Sequence, residues 1–130
     1  MFTVILILNI FLPVIGPYSA QVNLGTGMDI TTGIFTCSTP GTYSFSFTGY
    51  DASGTNSASA SIDRVDAAGT SQEVYVTMTS GATDAGSISG TTIVTLAAGE
   101  KVAARLISGV LSTTSRDIKF TGFLIRPTAP

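Results

Sequence analysis

The sequence predicts an all-β domain whose antiparallel strands form a sandwich, a jelly roll or a barrel. Residues 43–48 alternate aromatic with hydroxyl side chains, so Tyr43, Phe45 and Phe47 share one face of a strand. Eight to ten short segments of apolar or alternating character follow one another along the chain, separated by Gly, Pro, Asp and Ser. No stretch keeps a helical period over ten residues, which excludes a helical architecture.

Composition indicates one domain with a weakly charged surface. A chain of 130 residues is long enough for a single hydrophobic core. Only 11% of the residues are charged, against about 25% in an average soluble domain, and Ser, Thr, Gly and Ala take their place. The net charge is −2 and the six basic residues form no dense run, so a nucleic-acid ligand is excluded.

The N-terminal apolar segment, residues 1–20, has two interpretations, and residues 21–130 form the predicted domain. Residues 2–8 are β-branched and apolar on both faces, as in a central strand covered on each side. A cleaved secretory signal is the alternative, since Ser19 and Ala20 are small, although Tyr18 is bulky and no positive charge precedes the run. A membrane-spanning helix is excluded, because the run is short and Pro13 interrupts it.

The remaining elements read as strands joined by turns. Asp and Gly at residues 51–54 and Gly at 67–69 and 98–100 favour turns, and residues 80–90 predict an exposed loop. In the predicted strand at residues 73–78, Val74, Val76 and Met78 are predicted to share the core face, and Tyr75 is predicted to lie on the opposite face. The predicted strands cover residues 21–24, 41–49, 57–62, 73–78, 91–96, 101–107 and 118–125.

Several blocks of the sequence resemble the globular domains of the C1q family. The run GTGMDITTGIFTC at residues 25–37, followed by PGTYSF, is similar to the central signature of these domains. Residues 89–102 are similar to the family's paired strands with their turn, and residues 120–125 to its closing strand. The resemblance implies a ten-stranded antiparallel jelly roll of the C1q and tumour-necrosis-factor type, packed as a homotrimer.

The apolar character of both chain ends agrees with a subunit interface. Residues 5–8 and 123–125 are apolar on both faces, more than a single core requires, and neighbouring copies would cover the surplus. The sequence also departs from the family. It lacks the second cysteine that some relatives pair with the position of Cys37, and of two acidic calcium ligands in some relatives only Asp66 is retained.

Catalytic and metal-binding residues are scarce. The absence of His removes Ser-His-Asp and Cys-His catalysis, so no enzymatic activity is predicted. Asp63 and Asp66 are weak calcium candidates, but calcium takes six or more oxygen ligands, and a solvated turn is the preferred interpretation of both. Cys37 is predicted to be a small buried hydrophobic residue. No cofactor is expected, with calcium as the open alternative.

Packing is the predicted role of most aromatic residues, in preference to ligand binding. Tyr50 and Tyr75 are the candidates for exposure, where they could contact a sugar or a protein. The residues predicted to lie in the core or the trimer interface are Tyr43, Phe45, Phe47, Phe120, Phe123 and Leu124.

The leading functional prediction is a non-enzymatic, secreted homotrimer for innate recognition that binds protein or glycan ligands through its loops. Rigid β scaffolds place recognition in loops, here residues 51–56, 80–87 and 109–116. The alternative is a structural trimer of a larger assembly, such as a spike, a fibre head or a capsid component, with the N-terminus retained. Neither hypothesis includes a membrane span. The candidate ligand-binding residues are Asp51, Asn56, Asp84 and Arg116.

Overall fold

The computed structural model describes residues 2–6, 14–15, 18–23, 27–50, 59–79, 87–109 and 118–128, with backbone alone for residues 2–6, 18–23, 50 and 87. These residues form strands and turns and contain no helix. The strands are β1 (Phe2–Leu6), β2 (Tyr18–Asn23), β3 (Met28–Asp29), β4 (Ile34–Thr36), β5 (Gly41–Tyr50), β6 (Ser59–Val65), β7 (Ser71–Thr79), β8 (Ser87–Leu96), β9 (Lys101–Ser108) and β10 (Lys119–Pro127).

Two antiparallel sheets of five strands each form a sandwich. Sheet A has the order β2-β1-β10-β5-β8, and sheet B has the order β3-β4-β9-β6-β7. Most of the strands that pair are distant in sequence, so the chain crosses repeatedly from one sheet to the other. The predicted all-β, antiparallel jelly roll is confirmed.

An aromatic cluster fills the space between the sheets. Tyr43, Phe45 and Phe47 are buried as the alternation predicts, and Phe120 of β10 joins them. The rings of Phe45 and Phe120 stack with centroids 6.0 Å apart, and Phe35 meets the Phe45 ring edge-on at 5.5 Å. The prediction that these aromatic residues form the core is confirmed, because one face of β5 and β10 points at sheet B.

A bulge between β6 and β7 overturns the predicted face of β7. Ile62 lies opposite Val76, but Asp63 lies opposite Val74, so Tyr75 is the extra residue. As a result the Val74 side chain is exposed to solvent, and Tyr75 is half-buried against the core. The prediction that Val74 is in the core and Tyr75 exposed is therefore wrong.

β8 is longer than predicted and includes part of the expected loop. It begins at Ser87 and pairs with β5 as far as Leu96. At Gly90 a Cβ atom would lie 2.5 Å from Cγ of Met78 in β7, so a larger residue would require the Met78 side chain to move where the two edge strands approach each other. Gly90, which favours a loop when the sequence is considered alone, is therefore explained by the packing of β8 against β7.

Tyr43 and Cys37 form a buried polar contact at one end of the core. The Tyr43 hydroxyl donates to the Thr39 carbonyl at 2.6 Å, and the Cys37 Sγ lies 3.7 Å from the Tyr43 oxygen. Cys37 itself is buried, as predicted. Burial and the neighbouring Cys37 thiol raise the pKa of Tyr43 from 10.0 to about 12.

This shift predicts alkaline destabilisation that depends on Tyr43. The folded state keeps the phenol protonated while the unfolded chain ionises near pH 10, so the contribution is complete below about pH 10 and is lost as pH rises toward 12. The loss in the free energy of unfolding is about 2 kcal/mol. Urea unfolding between pH 9 and 12 should show a shallower decline in Tyr43→Phe than in the wild type. Tyr75 titrates in both proteins and cancels, so parallel curves would contradict the prediction.

Candidate recognition surface

Three connections leave the same end of the sandwich. Tyr50, the last residue of β5, lies opposite Ser87, the first of β8. Ser59, the first residue of β6, lies opposite both Thr79, the last of β7, and Ser108, the last of β9. The connections between β5 and β6, β7 and β8, and β9 and β10 therefore start and finish together at what we name the loop end.

Topology thus brings together the three loops that the sequence predicts as ligand-binding. Asp51, Asn56, Asp84 and Arg116 belong to these connections but lie outside the described residues, so their roles stay predictions. The side chain of Tyr50 also lies outside them. What the structure contributes is the common origin of the three loops on rigid strands.

Large apolar side chains stand on the outward face of sheet A. Phe123 of β10 lies opposite Ser44 of β5, which lies opposite Ile93 of β8. Phe123 is 42% exposed, Ile93 is 64% exposed and Ile125, two residues along β10, is 49% exposed. Leu124 points the other way and packs against the core. We name Ile93, Phe123 and Ile125 the apolar strip.

Hydroxyl groups border the apolar strip. Ser46 and Thr91 share a hydrogen bond of 3.1 Å on one side of it, and Thr42 and Thr95 share one of 3.3 Å on the other. Strands β5 and β8 contain no charged residue. These two strands lose their hydration at lower cost than charged strands would, because their hydroxyl groups hydrogen-bond to one another.

Sheet B carries a buried ion pair that the sequence did not reveal. Asp63 of β6 has no exposed surface, and its Oδ2 accepts hydrogen bonds from Arg105 Nη1 at 2.8 Å and from Ser71 Oγ at 2.5 Å. The interpretation of Asp63 as part of a solvated turn is wrong, because β6 continues to Val65. The guanidinium supplies the positive charge that a calcium ion would otherwise bring to this carboxylate.

Asp66 lies in the turn after β6, as predicted. Its Oδ1 accepts from the backbone N–H groups of Ala68 and Thr70, each at 2.9 Å. These bonds shape the turn and explain an exposed aspartate there without a ligand. Among the described residues, no three acidic, Cys or His side chains group closely enough to hold a metal ion.

An exposed charge cluster lies at the end of the sandwich away from the loops. Arg64 Nε is 3.7 Å from carboxylate oxygens of both Glu73 and Glu100. Burial and the Glu73 charge raise the pKa of Tyr75, although the nearby Arg64 charge acts to lower it. Surface pairs at this distance contribute little stability.

Sequence reasoning missed Ile93 and Arg105. Ile93 could have been found by counting in steps of two along β8, since Leu96 faces the core and Ile93 therefore faces outward. Arg105 had no such signal, because its partner Asp63 is 42 residues away in the chain.

Comparisons with known proteins agree on one fold. The family model of the C1q domain matches residues 17–125. No curated protein matches the sequence. No helix in the described part of the chain has the length and hydropathy to cross a bilayer.

Among solved structures, the globular domain of zebrafish complement 1qA is similar with a TM-score of 0.73 and 22% identity, covering 98% of both chains. Murine APRIL is similar with a TM-score of 0.69 and 14% identity, and the match covers 95% of this chain and 97% of the APRIL chain. Eiger TNF from S. frugiperda is similar with a TM-score of 0.66 and 15% identity, and the match covers 98% of this chain and 86% of the Eiger chain. At these identities the likeness shows the fold alone.

Proposed function

Since the chain belongs to the C1q domain family, we propose that it is a non-enzymatic recognition module that forms a homotrimer and binds protein or glycan ligands through its loop end. The proposal also makes it a secreted, extracellular protein of innate recognition. The observation that carries the proposal is the exposed apolar strip on sheet A, where strands β5 and β8 contain no charged residue.

The apolar strip favours association with copies of the same chain. Fully burying a side chain of this size contributes about 1.5–3 kcal/mol, and three such side chains stand exposed together. β8 is also an edge strand of ten uncharged residues, which would invite uncontrolled pairing if nothing covered it. A closed ring, in which the face of one copy covers the β8 edge of the next, solves both problems.

The loop end supplies the recognition surface of each copy. Its three connections begin on paired strands, so their ends are held by the scaffold. A trimer presents three such surfaces at once, and their combined avidity compensates for a weak single site.

Binding to glycan and protein arrays tests recognition. The wild-type trimer is expected to bind members of an array, and the double variant Asp51→Ala with Arg116→Ala to lose that binding. Gln72→Ala, an exposed polar change outside the loop end, is the matched control and should bind as the wild type does. Blank arrays with the wild-type trimer would overturn the recognition role.

Calcium is expected to be dispensable. The carboxylate of Asp63 is already neutralised by Arg105, and that of Asp66 is bonded to backbone N–H groups. Excess calcium and excess EGTA should therefore give the same melting temperature and the same array binding. A melting temperature that rises with calcium concentration would contradict this expectation.

A structural trimer of a larger assembly is the second candidate. The observation that favours it is the position of β1 between β2 and β10 in sheet A, which makes this part of the N-terminal apolar segment a component of the scaffold. A stable trimer that gives blank arrays would support this role over recognition.

A further inference from the structure

We propose that residues 2–15 stay in the mature protein as part of the sandwich, and that the Ser19–Ala20 region is not used as a leader-cleavage site. This inference is independent of the recognition role, whereas the structural alternative shares its premise that the N-terminal segment is part of the scaffold. If the protein is exported, export then occurs without removal of residues 1–20.

The first support is the position of β1 inside sheet A. β1 pairs with β10 from Phe2 opposite Gly122 to Ile5 opposite Lys119. On its other side it pairs with β2 as far as Leu6 opposite Tyr18. Cleavage beside Ala20 would cut β2 and remove β1, and the backbone groups of β10 would lose their partners along that edge.

The second support is an anchor in the other sheet. The Ile15 N–H donates to the Ala104 carbonyl at 2.9 Å, and the Ile15 side chain is 0% exposed within the main core. Val14 bridges to Arg105 and is buried beside Val65. Residues 2–6 thus belong to one sheet and residues 14–15 contact the other, which a removable leader would not do.

The third support is the fit of the turn after β6 onto Val14. Gly69 has φ of +85° and is buried, and a Cβ atom there would lie 2.8 Å from Val14 Cγ2. A larger residue at this position is therefore opposed by its own backbone conformation and by contact with Val14. The second effect exists only in a protein that contains Val14.

This contact gives a test that works on the purified protein. In the double-mutant cycle of Gly69→Ala and Val14→Ala, the backbone strain is common to both backgrounds and cancels. A retained segment predicts that Gly69→Ala lowers the melting temperature less in the Val14→Ala background than in the wild type. Equal effects in the two backgrounds would overturn the proposal.

Ile15→Val is the milder second variant, in case a variant of the cycle fails to fold. Removing one buried methyl group is expected to lower the melting temperature by about 4 °C. If residues 1–20 were cleaved, the mature protein would contain neither Val14 nor Ile15, and these substitutions would leave its melting temperature unchanged.

Intact-mass measurement gives the direct answer. The full chain is expressed in a secreting eukaryotic host and, separately, in the bacterial cytosol. Both products are expected to have the mass of the whole chain, with or without Met1. A secreted product that begins near Ala20 and folds into the same stable protein would overturn the proposal.

Discussion

Replacing Arg105 with methionine is expected to lower the free energy of unfolding by about 3–5 kcal/mol. The substitution keeps the length of the side chain but leaves the Asp63 carboxylate buried, with Ser71 as its remaining side-chain donor. An uncompensated buried charge is among the most costly changes that a core can receive. Urea unfolding at neutral pH and fixed protein concentration measures the loss, because association would make stability depend on concentration.

Two variants separate this effect from a simple loss of packing. Arg64→Met removes a half-buried arginine whose carboxylate partners are 3.7 Å away, and it should cost less than about 1 kcal/mol. Asp63→Leu combined with Arg105→Met removes both charges and should recover most of the stability lost in the single variant. Equal losses for Arg105→Met and Arg64→Met would show that the buried pair has no special role.

Replacing Ile93 with lysine is expected to convert the proposed trimer to monomers. Ile93 is the most exposed member of the apolar strip, so the change places an ammonium group in the proposed interface without disturbing the core. Burying that charge costs several kcal/mol in each copy, and the apolar contribution of the Ile93 side chain is lost as well. Light scattering coupled to size-exclusion chromatography should give the 13.3 kDa of one chain.

Ile107→Lys is the matched control for this prediction. Ile107 is 51% exposed, but it belongs to β9 in sheet B, away from the apolar strip. It receives the same new charge and should stay trimeric. Loss of the trimer in both variants, or in neither, would show that the strip is not the interface; circular dichroism establishes that each variant is folded.

The sequence predicted those parts of the fold that depend on local alternation. Tyr43, Phe45 and Phe47 could be placed in the core because the period of two fixes which side chains share a face. The same rule failed in β7, because the bulge opposite Ile62 and Asp63 shifts the face by one residue. A bulge depends on how two strands pair, and the residues around Val74 contain no signal that predicts it.

The candidate surface was predictable in outline. Turn-forming residues located the three loops, and the antiparallel topology brings them to one end. The ion pair of Asp63 and Arg105 could not be predicted, because it joins residues that are distant in the chain and adjacent in β6 and β9 only after folding. The prediction of a loop at Gly90 was wrong for a similar reason, since this glycine allows a close contact with Met78 and does not form a local turn.

The mass of the native wild-type protein in solution is the most direct test of the central claim, that copies of this chain cover the apolar strip. Light scattering after size exclusion is expected to give three times the 13.3 kDa of the chain, and to do so down to low micromolar concentration. A homogeneous peak at the mass of a single chain would contradict the account, because Ile93, Phe123 and Ile125 would then stay exposed with no subunit to cover them.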